Sequence, residues 1–207
     1  MHNEYLNNSI LIGNIYTEPE LLFEEKYKYW YYYFILDIPR LNSANSDKIP
    51  IRLPQEKAKI VPQYNNLYKI NGEIRSKNEY QNDKRKLIVY DYANDITEIN
   101  SKILSLDDIE NSNYIEYIGY IVKCDDFRKT PLGRIITDFK IAINSPIGRS
   151  YYIPSIIWNK QNARFMQKLP IGSKVKIIGR FQSRIYHENE VAYEVSVSTI
   201  ELLEKSY

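Results

Sequence analysis

Apolar positions along this chain recur mainly with a period of two, in β-branched and aromatic runs broken by clusters of Gly, Pro and Asn, which is the pattern of half-buried strands. The pattern predicts strands at residues 8–16, 29–38, 47–53, 67–75 and 86–92, and again at 114–123, 134–144, 150–157, 174–184 and 190–202. One segment breaks the rule: from Asn159 to Leu169, Ala163, Phe165, Met166 and Leu169 fall at helical spacing, closed by Pro170 and Gly172. Its counterpart in the first half, residues 55–65, is a poorer helix containing Pro62. An all-β chain follows.

The two sets of strands also look like copies. Ile12-Gly13-Asn14-Ile15 parallels Ile118-Gly119-Tyr120-Ile121, Phe34, Leu36 and Ile38 parallel Phe139, Ile141 and Ile143, and Ile49-Pro50 parallels Ile153-Pro154, at a nearly constant offset. Five strands with a helix between the third and fourth is the order of the Greek-key barrel called the OB-fold. The expectation is therefore two tandem five-stranded OB-fold barrels, each with a short helix between strands 3 and 4, in domains 1–100 and 114–207 joined by 101–113. That joining segment is either a linker or a short helix on the first domain.

Charge separates the copies. The chain carries a net charge of only +2, but residues 1–112 hold 14 Lys/Arg against 17 Asp/Glu, and residues 113–207 hold 14 against 9. The second half is the electropositive one, suited to phosphates. Twenty tyrosines supply flat rings with polar tips, although an AT-rich coding bias explains more of the count than function does, so position decides for each tyrosine. One cysteine, Cys124, and two histidines, His2 and His187, leave no disulfide and no metal site, and no cofactor is expected. No apolar run is long enough for a membrane span and Met1-His2-Asn3-Glu4 does not open a secretory signal, so a soluble, cytoplasmic protein is expected. Asp125 and Asp126 are adjacent and point to opposite sides of a strand, Cys124 and His187 lie far apart, and no glycine loop could cradle a phosphate; the chain reads as a binder, not an enzyme.

Ile118-Gly119-Tyr120-Ile121, Thr130-Pro131-Leu132-Gly133-Arg134, Phe139 to Asn144, Ile156 to Lys160, Gly179 to Arg184 and Tyr193-Glu194-Val195 occur in one order over about ninety residues. In this the segment from Tyr114 to Leu203 resembles the bacterial single-stranded DNA-binding proteins. The resemblance implies sequence-tolerant binding and protection of single-stranded DNA in replication, recombination or repair. It places base-stacking aromatics at Tyr152, Trp158 and Tyr186, with Lys160 beside Trp158 to meet a phosphate. It also implies four OB domains per assembly, hence a homodimer, with replication or repair proteins as further partners. Alternation sends one of Tyr151 and Tyr152 outward, and Trp158 is either a stacking platform or a cap on the barrel core. Of Arg128, Arg134, Arg149, Arg180 and Arg184, about half are expected to approach phosphates, the rest being solvated.

The first copy departs from this pattern. It has Lys48 and Pro54 where the second has Tyr152 and Trp158, Glu24-Glu25-Lys26 at the turn, and a stretch Gly72 to Lys77 that lacks aromatic partners in the sequence. Its run Tyr27 to Phe34 is aromatic on both faces, which suits a subunit interface better than DNA in an acidic half. The family's flexible acidic C-terminal tail has no counterpart in residues 201–207. That keeps a second reading open: a primosome-like or mobile-element accessory OB-fold protein acting mainly through protein contacts.

Overall fold

The computed structural model describes residues 5–41, 43–81, 84–100, 104–130, 133–158, 160–186 and 190–206, with the backbone alone for Gln81, Asp107 and Tyr186. The chain is all-β. In the first half it forms β1 (Asn7–Ile15), β2 (Glu20–Glu24), β3 (Tyr29–Pro39), β4 (Ser46–Pro54), β5 (Leu67–Gln81) and β6 (Lys84–Glu98). After α1 (Leu106–Glu110) come β7 (Asn113–Cys124), β8 (Arg128–Lys129), β9 (Ile135–Asn144), β10 (Ser150–Ile157), α2 (Lys160–Gln167), β11 (Lys174–Tyr186) and β12 (Glu190–Glu204).

Alternation sets what each strand buries. On β3, Phe34, Leu36 and Ile38 are fully buried and Ile35 and Asp37 turn outward; on β9, Phe139, Ile141 and Ile143 do the same. Each such side chain taken from water stabilises by roughly 1.5–3 kcal/mol, so these positions fix the register. β1 pairs with both β5 and β3, β3 with β4, β4 in parallel with β6, and β6 with β5, which closes a ring. β7, β9, β10, β12 and β11 close a second ring by the same sequence of pairings, with β10 parallel to β12. Closure brings the first strand of each ring tightly across its neighbour. A Cβ on Gly13 would lie 2.4 Å from the Asp37 carbonyl oxygen, and one on Gly119 would lie 2.7 Å from that of Ala142. The repeated Ile-Gly pair is thus a requirement of the crossing.

Three expectations need correction. The first half has no helix over 55–65, only a single 3-10 turn at Gln55–Lys57 that ends where Ala58 goes extended, as Pro54 and Pro62 on either side favour. Each half gains a strand, β2 and β8, because the segment after its first strand pairs back on β3 or β9. The β5–β6 hairpin runs well past residue 75 to Gln81↔Lys84; Ser76 to Tyr80 lack apolar alternation, yet their backbones still pair. α1 falls within the segment expected to join the two halves and is tied to the first by the Lys69–Asp108 ion pair, while Ser101, Lys102 and Ile103 lie outside the described residues.

β1 and β7 pair antiparallel, Asn7↔Tyr117 through Leu11↔Asn113, and join both rings into one twelve-stranded sheet. The halves meet again through two matched contacts. The Lys48 N–H donates to Ser183 Oγ at 2.9 Å, and the Tyr152 N–H donates to Ser76 Oγ at 2.8 Å. Beside the first, Asp47, 1% exposed, accepts from Arg40 Nη2 at 2.6 Å, from Arg180, and from the Ser183 N–H at 3.0 Å.

Candidate nucleic-acid interface

β10 and the residue after it carry two of the exposed rings of the second half. Tyr151, Ile153, Ser155 and Ile157 face the barrel interior, which leaves the opposite side to Tyr152, Pro154 and Ile156, and Trp158 continues that outer series just past the strand. Tyr152 is 40% exposed and Trp158 37% exposed. At about 3.3 Å per residue they stand roughly 20 Å apart on one side of the strand. Tyr151 is buried instead. The third expected ring, Tyr186, ends β11 opposite Glu190; its side chain lies outside the described residues, as do His187, Asn159, Pro131 and Leu132.

Trp158 borders an open cleft of about 600 Å³ between the halves, together with Arg40 and Lys48 from the first and Gln182, Arg184 and Ile185 from the second. Charge around the rings comes in two kinds. Arg180 is held by Asp47 and by Gln182 Oε1 at 3.0 Å, and burial pulls its guanidinium below the usual range against the raising effect of Asp47. Arg128 pairs with Asp138 at 2.6 Å, Arg184 approaches Glu194 at 3.4 Å, and Arg149 lies 3.5 Å over the ring of Tyr27 in the first half. Those four are engaged within the protein. Arg134 and Lys160 are exposed and form no ion pair among the described residues. Arg134 sits in the turn before β9, its amide held by Thr130 Oγ1 at 3.1 Å, and Lys160 opens α2 two residues after Trp158.

Sequence reasoning missed other cations that form no ion pair among the described residues. Lys140 is opposite Pro154 and so shares the outer side with Tyr152; a lone lysine in the apolar run Phe139 to Ile143 was the available signal. Arg164 on α2 and Lys168 just past its end follow Lys160 at intervals of four, beside the exposed ring of Phe165. Rings open to solvent with unpaired cations alongside can stack planar groups and hold anions.

The first half uses the same residue types to the opposite end. The Arg52 guanidinium lies 5.0 Å from the Tyr31 ring centroid and 4.4 Å from that of Tyr90, and it pairs with Glu24 at 3.3 Å and Glu79 at 3.5 Å. Arg75 lies 3.5 Å over Tyr92 and pairs with Glu73 at 2.8 Å. Burial pushes the Tyr90 hydroxyl up to about 12, so the ring stays neutral while it stacks. The stretch Gly72 to Lys77 does have aromatic partners, then, supplied by β6, and they are covered by the protein's own arginines.

Among the described residues there is no group of three or more His, Cys, Asp or Glu that could hold a metal, and no helix is long and apolar enough to cross a membrane.

The sequence profile of the single-strand binding protein family matches residues 112–203. A single-stranded DNA-binding protein of Halalkalibacterium halodurans is 28% identical over 102 residues, 44% of this chain and 61% of that protein; one of Oceanobacillus iheyensis is 26% identical over 102 residues, covering 44% and 63%. The match spans less than two thirds of the length of these relatives. Across the whole chain, the wild-type single-stranded DNA-binding protein from Thermus aquaticus superposes with a TM-score of 0.75 at 16% identity, covering 99% of this chain and 96% of that one, a likeness of fold. A deletion mutant of the same protein gives 0.73 at 18% identity, covering 98% and 97%. Residues 112–203, somewhat under half of the chain, are thus similar to the single-strand binding protein family, and the whole chain shares the fold of the Thermus aquaticus protein.

Proposed function

We propose that this chain binds and protects single-stranded DNA without catalysis and with little regard to sequence, chiefly through its second half. The observation that carries the reading is the contrast between the copies. Tyr152 and Trp158 stand open on the outer side of β10, and Lys140 and Lys160 form no ion pair among the described residues, whereas Tyr31, Tyr90 and Tyr92 are covered by Arg52 and Arg75. Tyr152, Trp158 and Tyr186 serve as stacking platforms; Lys160 and Arg134 meet phosphates, joined by Arg184 and Arg149, and Arg128 and Arg180 chiefly orient the surrounding chain. Two domains, 1–100 and 114–207, joined by 101–113, fit the two closed rings of strands. A cytoplasmic role in replication, recombination or repair is what such binding would serve.

The test is titration of a labelled oligothymidylate against wild type and a Tyr152→Ala/Trp158→Ala/Tyr186→Ala variant. Stacking is worth about 1–3 kcal/mol per base, so the triple variant should bind at least about tenfold more weakly. Equal affinity would remove the stacking model, and affinity independent of salt would remove the phosphate path. The same titration with a ribo-oligomer measures the preference for DNA over RNA.

One surface favours protein contact as well. β2 ends the twelve-stranded sheet with Leu21, Leu22 and Phe23 exposed, and Trp30 packs against Phe23 on the neighbouring strand. An apolar edge strand of this kind pairs readily with a second copy, which fits a homodimer. Sedimentation of wild type against Leu22→Lys decides it: the wild type should run as a dimer and the variant as a monomer.

A further inference from the structure

The two short helices of the chain present surfaces of opposite charge. α2 buries Ala163 and Met166 in the core of the second ring and turns Lys160, Arg164 and Phe165 to solvent, with Lys168 just past its end. The three cations recur at intervals of four, so they share one side of the helix, and Phe165, 37% exposed, stands beside them. None of the three forms an ion pair among the described residues.

α1 is the reverse. Ser105 fixes its single turn: the Ser105 Oγ accepts the Asp108 N–H at 3.0 Å, and the Asp108 carboxylate accepts the Ser105 N–H at 3.3 Å. The same carboxylate holds Lys69 at 3.0 Å, so Asp108 anchors the helix to β5. The rest of the turn faces water. Leu106 is 80% exposed and Ile109 42% exposed, three residues apart and therefore adjoining, and Glu110 is exposed with no ion pair among the described residues. Residues 105–111 hold three acids and no base. The chain as a whole is polarised in the same sense, with 14 Lys/Arg against 17 Asp/Glu in residues 1–112 and 14 against 9 in residues 113–207.

We infer that α1 of one copy docks on the outer side of α2 of a second copy, Leu106 and Ile109 meeting Phe165 while the acidic turn meets Arg164 and Lys168. Charge complementarity selects the occupant: the one surface is acidic with two bare apolar side chains, the other basic with one bare ring. Because the two surfaces differ, the contact is head-to-tail and leaves the β2 edge free. A patch this small falls well short of the roughly 1,000 Å² that holds free proteins together, so it forms between copies set side by side on one strand, where effective concentration is high. The inference therefore rests on the single-strand binding proposed above.

The full-length chain is titrated with an oligothymidylate that holds one molecule and with one that holds many, and the readout is the ratio of affinity per site on the long strand to that on the short. For wild type the ratio should be at least about five. Arg164→Glu/Lys168→Glu and Asp107→Lys/Glu110→Lys should each bring it to about one, and an equimolar mixture of the two, in which every acidic surface again finds a basic one, should restore it. Leu106→Ser/Ile109→Ser should lower the ratio and leave affinity for the short strand in place. A wild-type ratio in the variants overturns the inference, as does a mixture that fails to restore it. Loss of short-strand affinity by Arg164→Glu/Lys168→Glu with the ratio unchanged assigns α2 to the strand itself and overturns it too. Absence of binding to either strand by wild type overturns the binding reading, which tells the two failures apart.

Discussion

Asp91 is a carboxylate in the wrong surroundings. It lies fully buried on β6, neither oxygen makes a hydrogen bond of ordinary geometry, and burial pushes its carboxyl up to about 7, against the lowering effect of the nearby Ser9 hydroxyl. Its counterpart is Val195: Ile51 pairs with Asp91 across the parallel strands of the first ring, and Ser155 with Val195 across those of the second. An ordinary aspartate titrates near 4 in the unfolded chain. Between about pH 4 and 7 the folded protein therefore holds a proton that the unfolded one has lost, and stability falls as pH rises through that window. Asp91→Val should be more stable than wild type at pH 8 by a few kcal/mol, with the advantage shrinking as the pH drops to 5. Urea melts at the two pH values measure it, and a constant difference would show that the carboxyl is not what titrates. The oddity was invisible in the sequence, where Asp91 sits between Tyr90 and Tyr92 in an unremarkable strand. Only the ring closure makes its side chain an inward one.

At the scale of elements, the legible features were those dictated by neighbours in sequence. The period-two runs gave most of the strands, and the recurring Ile12-Gly13 and Ile118-Gly119 marked where each ring crosses itself. Gly13→Ala puts its Cβ against a backbone oxygen that has no rotamer to escape through, and should cost about 1–3 kcal/mol in a urea melt. Gly133→Ala, in a turn with open space around the glycine, meets a positive φ and no neighbour, so it should cost less. Equal losses would mean that closure is looser than the geometry requires. The illegible features depend on partners distant in the chain. Nothing near Arg52 or Arg75 in sequence announces that β6 brings Tyr90 and Tyr92 beneath them. The extended hairpin carrying Tyr80 likewise has no apolar alternation to announce it, because backbone pairing and not core burial holds its outer third.

Taken whole, the molecule is two rings coupled by strand pairing and by one buried charge. The β1–β7 pairing and the matched serine contacts would hold two copies of almost any such ring together, but Asp47 is specific to one side. Its counterpart by offset is Tyr151, which has Arg75 5.5 Å from its ring in place of an ion pair. Removing Asp47 leaves Arg40, Arg180 and the Ser183 amide facing an empty acceptor site, and breaking a buried pair in this way costs about 3–5 kcal/mol. The natural tryptophans report where that cost falls, since Trp30 lies in the first half and Trp158 in the second. With Trp158→Phe and Trp30→Phe backgrounds, fluorescence follows each half separately during urea unfolding. The intact chain should give coincident transitions from both probes, the mark of a single cooperative unit. Asp47→Ala should lower both midpoints and pull them apart, because its contacts to Arg180 and Ser183 are ones that only the joined halves possess. Coincident midpoints in the variant would assign the coupling to the β1–β7 strands alone. Asp47 would then be a stabilising residue of the first ring, and strand pairing alone would keep the two halves in register.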